Sequence, residues 1–424
     1  MPLWTMPARP AAERARAAHL DAVGIAPTHV ASAPATWSVI GEHIDHYGGV
    51  TIMGLASPRA AAAISPRTDG AIAVHLIDST GQASEDSTTL AELSELAAAQ
   101  SPGVDSEGQP ILPPAPQGTI AVRLGGIIHT LINRQMLSRE TAGMDITVVN
   151  DIPDNAGLGA LSAADVATAL ALLGEADDLN EAPMRARVAD VCSQAVRTFA
   201  AHPPLRARHS AALRGAGETI TIIDYADGSV TQAPHAVNKE LAAFAVAVPG
   251  EFDASEAITD IRQRERFIDD ACHAFGTESL RLLPDASPRV IDWLTAVHKV
   301  YGPENQPTIQ DASAWLAFYG HETERAKDLA RALRSRRGAD LFPLLNQSHS
   351  ALSTMYGFAS ADKLVQLASL RGAVAARAAH AGTAHAMIAY VPAASAENFA
   401  ADLSAEGLLI VPLDAGETAS LDNA

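Results

Sequence analysis

The chain is poor in cysteine and in basic residues, and it has no long apolar run. Its 424 residues include two cysteines, Cys192 and Cys272, which make no disulfide framework and show no metal-type spacing. Thirty Lys and Arg stand against 49 Asp and Glu, and the formal charge of −19 disfavours binding to nucleic acid or an anionic membrane. No apolar segment approaches the roughly 20 residues of a membrane-spanning helix. We therefore expect a cytoplasmic protein that binds neither nucleic acid nor membrane.

The N-terminal region also lacks the pattern of a secretory signal. Residues 1–20 carry Arg9, Arg14 and Arg16 but no apolar core segment, so we expect no signal peptide. A length of 424 residues with 48% hydrophobic content is enough to bury large cores, most simply in two domains. Local patterns predict a strand over 71–77 and helices over 89–100 and 122–134.

The most informative stretch spans residues 33–49. It opens with Ala-Pro, which favours extended backbone, and then places Glu42, His43 and Asp45 among glycines. Carboxylates accept hydrogen bonds from hydroxyl groups, and an imidazole can donate or accept. Such a turn can present these side chains to one small ligand with several hydroxyls. A structural turn that leads into a strand is the alternative interpretation.

A second stretch has the pattern of a phosphate-binding loop. Residues 146–149 alternate like a strand, residues 156–160 are small or apolar, and residues 163–173 read as a helix. A helix N-terminus presents unpaired N–H groups and the positive end of the helix dipole to an anion. Small residues in the loop allow a phosphate to approach the backbone. Gly-rich turns before helices are common, so this pattern alone has low specificity.

Both stretches resemble motifs of one family. Residues 40–49 closely resemble the galactokinase signature, and residues 153–167 resemble the second motif of the same family, which belongs to the GHMP small-molecule kinases. Residues 346–352 resemble a further galactokinase string, and Arg377 and Gly382 stand where the third motif has its arginine and a glycine. The resemblance follows nearly the whole chain in order.

The resemblance implies an α/β (α+β) fold, the two-lobed GHMP kinase fold with a central cleft. It places an N-terminal lobe over residues 1–233 and a C-terminal lobe over residues 234–415. Residues 416–424 read as a disordered tail.

The resemblance also implies an activity and a set of ligand-binding residues. Galactokinases transfer a phosphoryl group from ATP, with Mg²⁺, to the anomeric hydroxyl of galactose. The positions that match sugar-contacting residues of the family are Glu42, His43, Asp45 and Tyr47. The positions that match its nucleotide-binding loop are Ala156, Gly157, Leu158, Gly159, Ala160 and Ser162. Ser162 is also the hydroxyl nearest to the position of the family's metal-binding serine.

The catalytic positions of the family are replaced. Its arginine falls at Thr36, and residues 17–58 contain no Arg or Lys. Its base aspartate falls at Arg208 and its magnesium glutamate at Thr198, and residues 191–217 contain no carboxylate. An arginine carries a fixed charge and has no lone pair with which to accept a proton. These losses do not depend on the exact alignment.

The phosphate loop and the surroundings of Arg208 depart from the family as well. Gly159, Ala160 and Leu161 stand where galactokinases have a serine triplet. Arg208 is expected to be a solvated surface residue in a basic patch with Arg206 and His209, an anion site being the alternative.

Two functions follow from this combination. The favoured hypothesis is a pseudokinase that binds a sugar or a nucleotide, because the Arg, Asp, magnesium Glu and serine triplet are absent together. The alternative is an active galactose or related sugar 1-kinase that uses ATP and Mg²⁺ and recruits another carboxylate, such as Asp45 or Asp224. A mevalonate-type reaction is less favoured because those relatives lack the Gly-Glu-His-x-Asp string. A pseudokinase need not use a cofactor, and the sequence identifies no protein partner.

Overall fold

The computed structural model describes residues 4–101, 103–104, 110–111, 113–304 and 306–422, which form an α/β fold. The strands are β1 (His29–Ile40), β2 (Val50–Arg67), β3 (Ala71–Ile77), β4 (Ala83–Thr89), β5 (Gly103–Val104), β6 (Pro110–Ile111), β7 (Gly143–Asn150), β8 (Thr219–Asp224), β9 (Ser229–Pro234), β10 (Leu241–Ala247), β11 (Ala375–Ala378), β12 (Ala386–Pro392), β13 (Leu409–Pro412) and β14 (Ser420–Leu421).

The α-helices are α1 (Ala11–Val23), α2 (Leu90–Ala99), α3 (Ile120–Asn133), α4 (Ala160–Leu172), α5 (Ala182–Phe199), α6 (Arg206–Arg214), α7 (Ser255–Phe275), α8 (Ala286–Tyr301), α9 (Ile309–Arg334), α10 (Leu341–Thr354), α11 (Asp362–Leu370) and α12 (Ala396–Ala405). Short 3₁₀ helices occupy Leu280–Leu282, Gly338–Asp340 and Ala393–Ser395. The predicted strand over 71–77 and the predicted helices over 89–100 and 122–134 are confirmed as β3, α2 and α3. Within the described ranges, no helix has the length and apolarity needed to cross a membrane.

The first sheet carries both motifs that the sequence singled out. Its strand order is β14-β1-β2-β7-β3-β4, and β8 and β9 extend it from β2. β2 is 18 residues long, so its first residues pair with β8 and its last residues pair with β7. The turn between β1 and β2 contains the signature residues, and the loop between β7 and α4 is the predicted phosphate loop.

Alternating alanines on β2 allow helices to pack on both faces of this sheet. Ala60 and Ala62 belong to the main hydrophobic core, which includes most of α4. Ala61 and Ala63 pack instead with Ala11 and other residues of α1. Successive side chains of a strand point to opposite faces, and small side chains let a helix approach the backbone closely. The N-terminus of α4 is thereby held next to β1.

A second sheet and a helical cluster form the rest of the protein. The second sheet has the order β11-β12-β10-β13 and is covered by α11 and α12, whose apolar residues pack with it in one core. The helices α7, α8, α9 and α10 share another core, which also includes Ile44 and Tyr47 of the signature turn. The proposed boundary between residues 233 and 234 falls where the chain leaves β9 of the first sheet, shortly before β10 of the second.

The end of the chain differs from its prediction as a disordered tail. Ser420 and Leu421 form β14, which pairs with β1. Arg59 donates hydrogen bonds to the carbonyl oxygens of Glu417 and Thr418. The prediction is wrong for residues 416–422 because polar, small residues can be ordered by backbone pairing with a distant strand. Residues 423–424 lie outside the described part of the chain.

Candidate functional site

The turn over residues 41–49 is buried along almost its whole length. Gly41 has a φ of +90°, and a Cβ at this position would lie 2.4 Å from the carbonyl oxygen of Val50. A residue other than glycine would therefore be strained and would clash with the backbone. The N–H of Gly41 donates to Oε1 of Glu322 at 3.2 Å. These constraints give the polar side chains of the turn defined directions.

Glu42 joins this turn to the segment after β11. Its carboxylate accepts hydrogen bonds from Nη1 of Arg377 at 2.9 Å and from the N–H groups of His380 at 2.9 Å and Ala381 at 3.4 Å. Glu42 and Arg377 are 2% and 1% exposed, so the ion pair is buried. Burial opposes ionisation of Glu42, but electrostatic interactions with Arg377, His43 and Arg208, together with the hydrogen bond from Arg377, outweigh it and lower the pKa of Glu42 below 4.5. Both carboxylate oxygens are therefore committed to protein groups.

His43 and Tyr47 face the helical core. Nε2 of His43 lies 2.8 Å from the carbonyl oxygen of Ala381, to which it can donate, and the ring stacks on Tyr356 with centroids 5.6 Å apart. Burial lowers the pKa of His43, which keeps the imidazole neutral at neutral pH. Tyr47 stacks on Tyr319, also at 5.6 Å. Both predicted sugar-contacting residues thus have extensive packing contacts within the protein.

Asp45 pairs with the first residue of α6. Oδ2 of Asp45 accepts a hydrogen bond from Nε of Arg206 at 2.7 Å, and the guanidinium lies over the ring of Tyr225. Burial opposes ionisation of Asp45, but the charges of Arg206 and His46 hold the pKa of Asp45 far below its usual range. The carboxylate is therefore ionised and already neutralised by an arginine at neutral pH.

Glu42, His43 and Asp45 converge on one small cavity, which residues 205–207 close from the side of α6. The cavity has a volume of about 10 Å³, which is no more than the space that one water molecule requires. A hexose is many times larger than a water molecule. In this conformation the cavity is therefore too small to hold a sugar.

Thr36 and Arg208, the two positions at which the resemblance places the family's catalytic arginine and aspartate, are in direct contact. Nη1 of Arg208 donates to the carbonyl oxygen of Thr36 and lies 3.1 Å from its Oγ1, and Nη2 donates to the carbonyl oxygen of Gly157 at 2.7 Å. Arg208 is 1% exposed, so the expected solvated surface arginine is wrong. It is buried because α6 packs beside β1 and the phosphate loop.

The Arg208 guanidinium is a buried cation without a carboxylate partner in the part of the chain that the structure describes. Its Nε has no hydrogen-bond partner among the described residues. Burial lowers the pKa of Arg208 to about 10, against the opposing influence of Glu42, so the side chain stays charged at neutral pH. A Cβ on Gly159 would lie 2.9 Å from Nη1, so the cation lies directly against the phosphate loop.

A buried polar network holds α6 in this position. Asp165 accepts hydrogen bonds from Arg123 at 2.7 and 2.6 Å, and Nε2 of His209 lies 3.0 Å from Oδ2 of Asp165. Nδ1 of His209 is 2.9 Å from Oγ of Ser193. Asp165 and His209 are completely buried, so the predicted basic patch of Arg206, Arg208 and His209 is not a surface feature. Each of its members has a separate interior contact.

The phosphate loop borders a larger cavity, of about 280 Å³. Gly159, with a φ of +73°, is the N-cap of α4, so the first amides of the helix are close to this space. Its other walls include Arg123, His202 and His380. The pKa of both histidines is lowered, that of His380 mainly by burial. The pKa of His202, an exposed residue, is lowered by partial desolvation and by the charges of Arg123 and Arg262, so both rings are neutral hydrogen-bonding groups at neutral pH. The helix N-terminus beside this cavity is a geometry that can hold an anion.

Most of the predicted nucleotide-binding residues line this cavity. Those that do are Gly157, Leu158, Gly159, Ala160 and Ser162. Ala156 is instead completely buried in the main core. Thr198, at the position of the family's magnesium glutamate, is half-buried on α5 and is not among the lining residues.

The side chains at the cavity do not fit a magnesium site. Mg²⁺ prefers oxygen ligands and usually one or two carboxylates, whereas Asp154, at the rim, is the single carboxylate among the described lining residues. Ser162 and Thr383 contribute the side-chain hydroxyls. Across the described chain, no group of three or more His, Cys, Asp or Glu side chains is arranged to hold a metal ion.

Several residues of this site could not be assigned a role from the sequence. Arg377 was visible as a retained motif residue, but nothing in the sequence indicates that it pairs with Glu42. Arg123 and His202 belong to no recognised motif. Leu205 and Arg206 border the small cavity at the signature turn, called the signature cavity below, because α6 lies across it.

Comparisons with known proteins concern the signature turn and the fold. Residues 17–66 match the family model of the galactokinase galactose-binding signature. The fold is similar to that of Lactococcus lactis galactokinase complexed with galactose, with a TM-score of 0.70, 16% identity and coverage of 96% of this chain and 99% of that chain. It is also similar to Methanococcus jannaschii mevalonate kinase, with a TM-score of 0.56, 13% identity and coverage of 93% and 99%. No curated protein sequence matches this chain. The resemblance to galactokinases within the GHMP kinases, and the fold class it implied, are confirmed.

Proposed function

We propose that this chain, which carries the galactokinase signature on a GHMP kinase fold, is a pseudokinase that binds a phosphorylated ligand at its phosphate loop without transferring a phosphoryl group. The observation that carries this proposal is the position of Arg208, whose guanidinium is buried between Thr36 and Gly157. The resemblance assigns this position to the carboxylate that accepts the proton of the sugar hydroxyl. A guanidinium cannot accept that proton.

The magnitude of the loss supports an inactive protein. Loss of a general base typically costs about 10²–10⁴ in rate, and loss of an arginine that stabilises the transferring phosphoryl group costs about 10³–10⁵. The two carboxylates that the sequence offered as substitutes, Asp45 and Asp224, are engaged elsewhere. Asp45 is paired with Arg206 at 2.7 Å, and Asp224 is paired with Arg281 at 2.8 Å. Asp165 is completely buried in its network with Arg123 and His209.

The difference in volume between the two cavities supports a ligand at the phosphate loop rather than at the signature turn. The signature cavity has space for about one water, whereas the cavity at the phosphate loop measures about 280 Å³. A phosphate chain at the loop would meet the N-terminal amides of α4, Arg123, and the neutral rings of His202 and His380. Retention of this half of the site is consistent with binding in the absence of catalysis.

An ADP-release assay with ATP and Mg²⁺ over a panel of hexoses that includes galactose tests this function. We expect no release above the rate of ATP hydrolysis without sugar. A galactokinase with its arginine and aspartate intact serves as the positive control. Calorimetry with ATP tests the binding half of the proposal, for which we expect a measurable heat of association. Sugar-dependent ADP release would eliminate the pseudokinase.

Active galactose 1-kinase is the second candidate. It is favoured by the retained signature, which brings Glu42, His43 and Asp45 around one cavity, and by the similar fold of a galactokinase that binds galactose. It requires residues 205–207 to move and a carboxylate to leave its present partner. Formation of galactose 1-phosphate by the purified protein would establish it.

A further inference from the structure

A positive charge, the guanidinium of Arg208, lies beneath the phosphate loop. Among the described residues, no carboxylate contacts this charge directly. Within the same ranges, the Arg208 guanidinium donates hydrogen bonds to the carbonyl oxygens of Thr36 and Gly157 and to the Thr36 hydroxyl, which are all uncharged acceptors. Its Nε is buried without a hydrogen-bond partner in the described chain. Glu42, the carboxylate that influences it electrostatically, is bonded to Arg377. A buried charge without a counter-charge is unfavourable, so a bound anion nearby would stabilise this arrangement.

The adjacent cavity is positioned to hold that anion. Gly157 and Gly159 line the cavity, and Arg208, which is not itself a lining residue, donates to the carbonyl oxygen of Gly157 and lies against Gly159. Arg123 also lines it, with Nε and Nη2 bound to Asp165. The helix N-terminus and the two arginines therefore act from different directions on the same space. Asp154, an exposed residue at the rim, is the one carboxylate on the described cavity wall.

We propose that this cavity binds an oligophosphate as the metal-free anion, with the fixed charge of Arg208 replacing the divalent cation that an ATP-dependent kinase uses. This inference rests on the proposed ligand-binding function and adds the charge state of the ligand and the residue that selects it. Mg²⁺ on the phosphates would remove two negative charges from the ligand. It would also place a cation near Arg208 and Arg123, without a suitable set of protein oxygens to hold it.

Isothermal titration of the full-length protein tests this with three probes, namely pyrophosphate, tripolyphosphate and ATP. Each probe is titrated once in EDTA and once with Mg²⁺ in excess over the phosphate. We expect tripolyphosphate and ATP to bind in EDTA, and Mg²⁺ to weaken both by about tenfold or more, as for the loss of one favourable ionic contact. Equal or tighter binding with Mg²⁺ would overturn the inference.

Arg208→Gln tests the residue, with Arg214→Gln as the matched control. Both variants remove one positive charge from α6, but Arg208 lies against Gly157 and Gly159 of the phosphate loop, whereas Arg214 is the last residue of the helix. We expect Arg208→Gln to weaken tripolyphosphate binding in EDTA by about tenfold or more and Arg214→Gln to change it less than twofold. Equal affinities in the two variants would refute the role of Arg208. The Mg²⁺ comparison on the wild-type protein decides the inference if Arg208→Gln does not fold.

The outcomes separate this inference from the proposed function. Binding of ATP only in the presence of Mg²⁺, without sugar-dependent ADP release, overturns the inference and leaves the pseudokinase. Sugar-dependent ADP release overturns the pseudokinase. Absence of binding by all three probes under both conditions overturns the inference together with the ligand-binding half of the proposed function.

Discussion

Replacement of Glu42 by glutamine distinguishes a structural role of this residue from a role in sugar contact alone. Glu42 is the carboxylate partner of Arg377 and also accepts the N–H groups of His380 and Ala381. If its role is to bind a sugar, Glu42→Gln leaves the stability of the ligand-free protein unchanged. If it joins the signature turn to the segment after β11, as its contacts indicate, the free energy of unfolding falls.

The size of the fall follows from the burial of the pair. Removal of one partner of a buried ion pair typically costs about 3–5 kcal/mol, because it leaves an uncompensated charge. Arg377 keeps three other contacts, namely hydrogen bonds to Oγ of Ser348 at 2.8 Å and to the carbonyl oxygen of Ala378 at 3.1 Å, and a weaker approach to Oε1 of Glu322 at 3.6 Å. We therefore expect a value near the lower end, about 3 kcal/mol.

Urea unfolding followed by tryptophan fluorescence measures this change. The matched control is Glu324→Gln, which removes an exposed carboxylate from its pair with Lys327 at 2.7 Å and should cost less than about 1 kcal/mol. A double-mutant cycle with Arg377→Met completes the test. The double variant should be less destabilised than the sum of the single variants, since it removes both charges. A loss in Glu42→Gln no larger than in Glu324→Gln would refute the structural role.

The contribution of Glu42 to the free energy of unfolding depends on pH, and the direction of this dependence follows from its pKa. The pKa of Glu42 is lower in the folded protein than its ordinary value of 4.5, so its stabilisation is fully present above that value. It is lost as the pH falls through the lower, folded pKa. The stability difference between the wild-type protein and Glu42→Gln should be constant from neutral pH to about pH 5 and should shrink below it. A difference that grows on acidification would contradict the ion pair.

Three further changes have expected outcomes. Thr36→Arg combined with Arg208→Asp should not reach the rate of a galactokinase in an ADP-release assay with galactose, because the serine triplet and the magnesium glutamate remain absent; a rate equal to that of an intact galactokinase would show that the phosphate loop is competent. Arg206→Ala should open the signature cavity, so galactose should give a calorimetric binding signal that the wild-type protein lacks; no signal in this variant would show that α6 is not what excludes the sugar. Asp165→Asn should cost about 3–5 kcal/mol in urea unfolding, because it leaves the buried side chain of Arg123 without its carboxylate; a cost below about 1 kcal/mol would show that the network does not hold α6.

Local signals in the sequence were sufficient for many of the elements. The helix α2 has a capping box between Thr89 and Glu92, so its start is encoded within four residues. The strand β3 was predicted over its observed span because its apolar run lies between turn residues. The burial of the short helix α6 could not be predicted in this way. Its arginines and histidine have the pattern of an exposed patch, and its interior contacts are made with elements that are distant in the chain.

The candidate site could be predicted only in part, because its geometry also depends on contacts between distant segments. The motif resemblance identified the signature turn and the phosphate loop, and most of the predicted loop residues border one cavity. It could not show that Glu42 binds Arg377, which is 335 positions away in the chain. It also could not show that residues 205–207 close the signature cavity, since cavity volume depends on how α6 packs against the turn.

The sequence by itself determined the α/β class, the resemblance of the signature turn to that of galactokinases, and the absence of a carboxylate over residues 191–217. These properties depend on residue identity and on short-range pattern, which can be read along the chain. Only the tertiary structure decided that Arg208 is buried against Thr36, 172 positions earlier, and that it lies beneath the phosphate loop. Whether a charged side chain is solvated or enclosed is set by contacts between distant segments, and those contacts exist only in the folded protein.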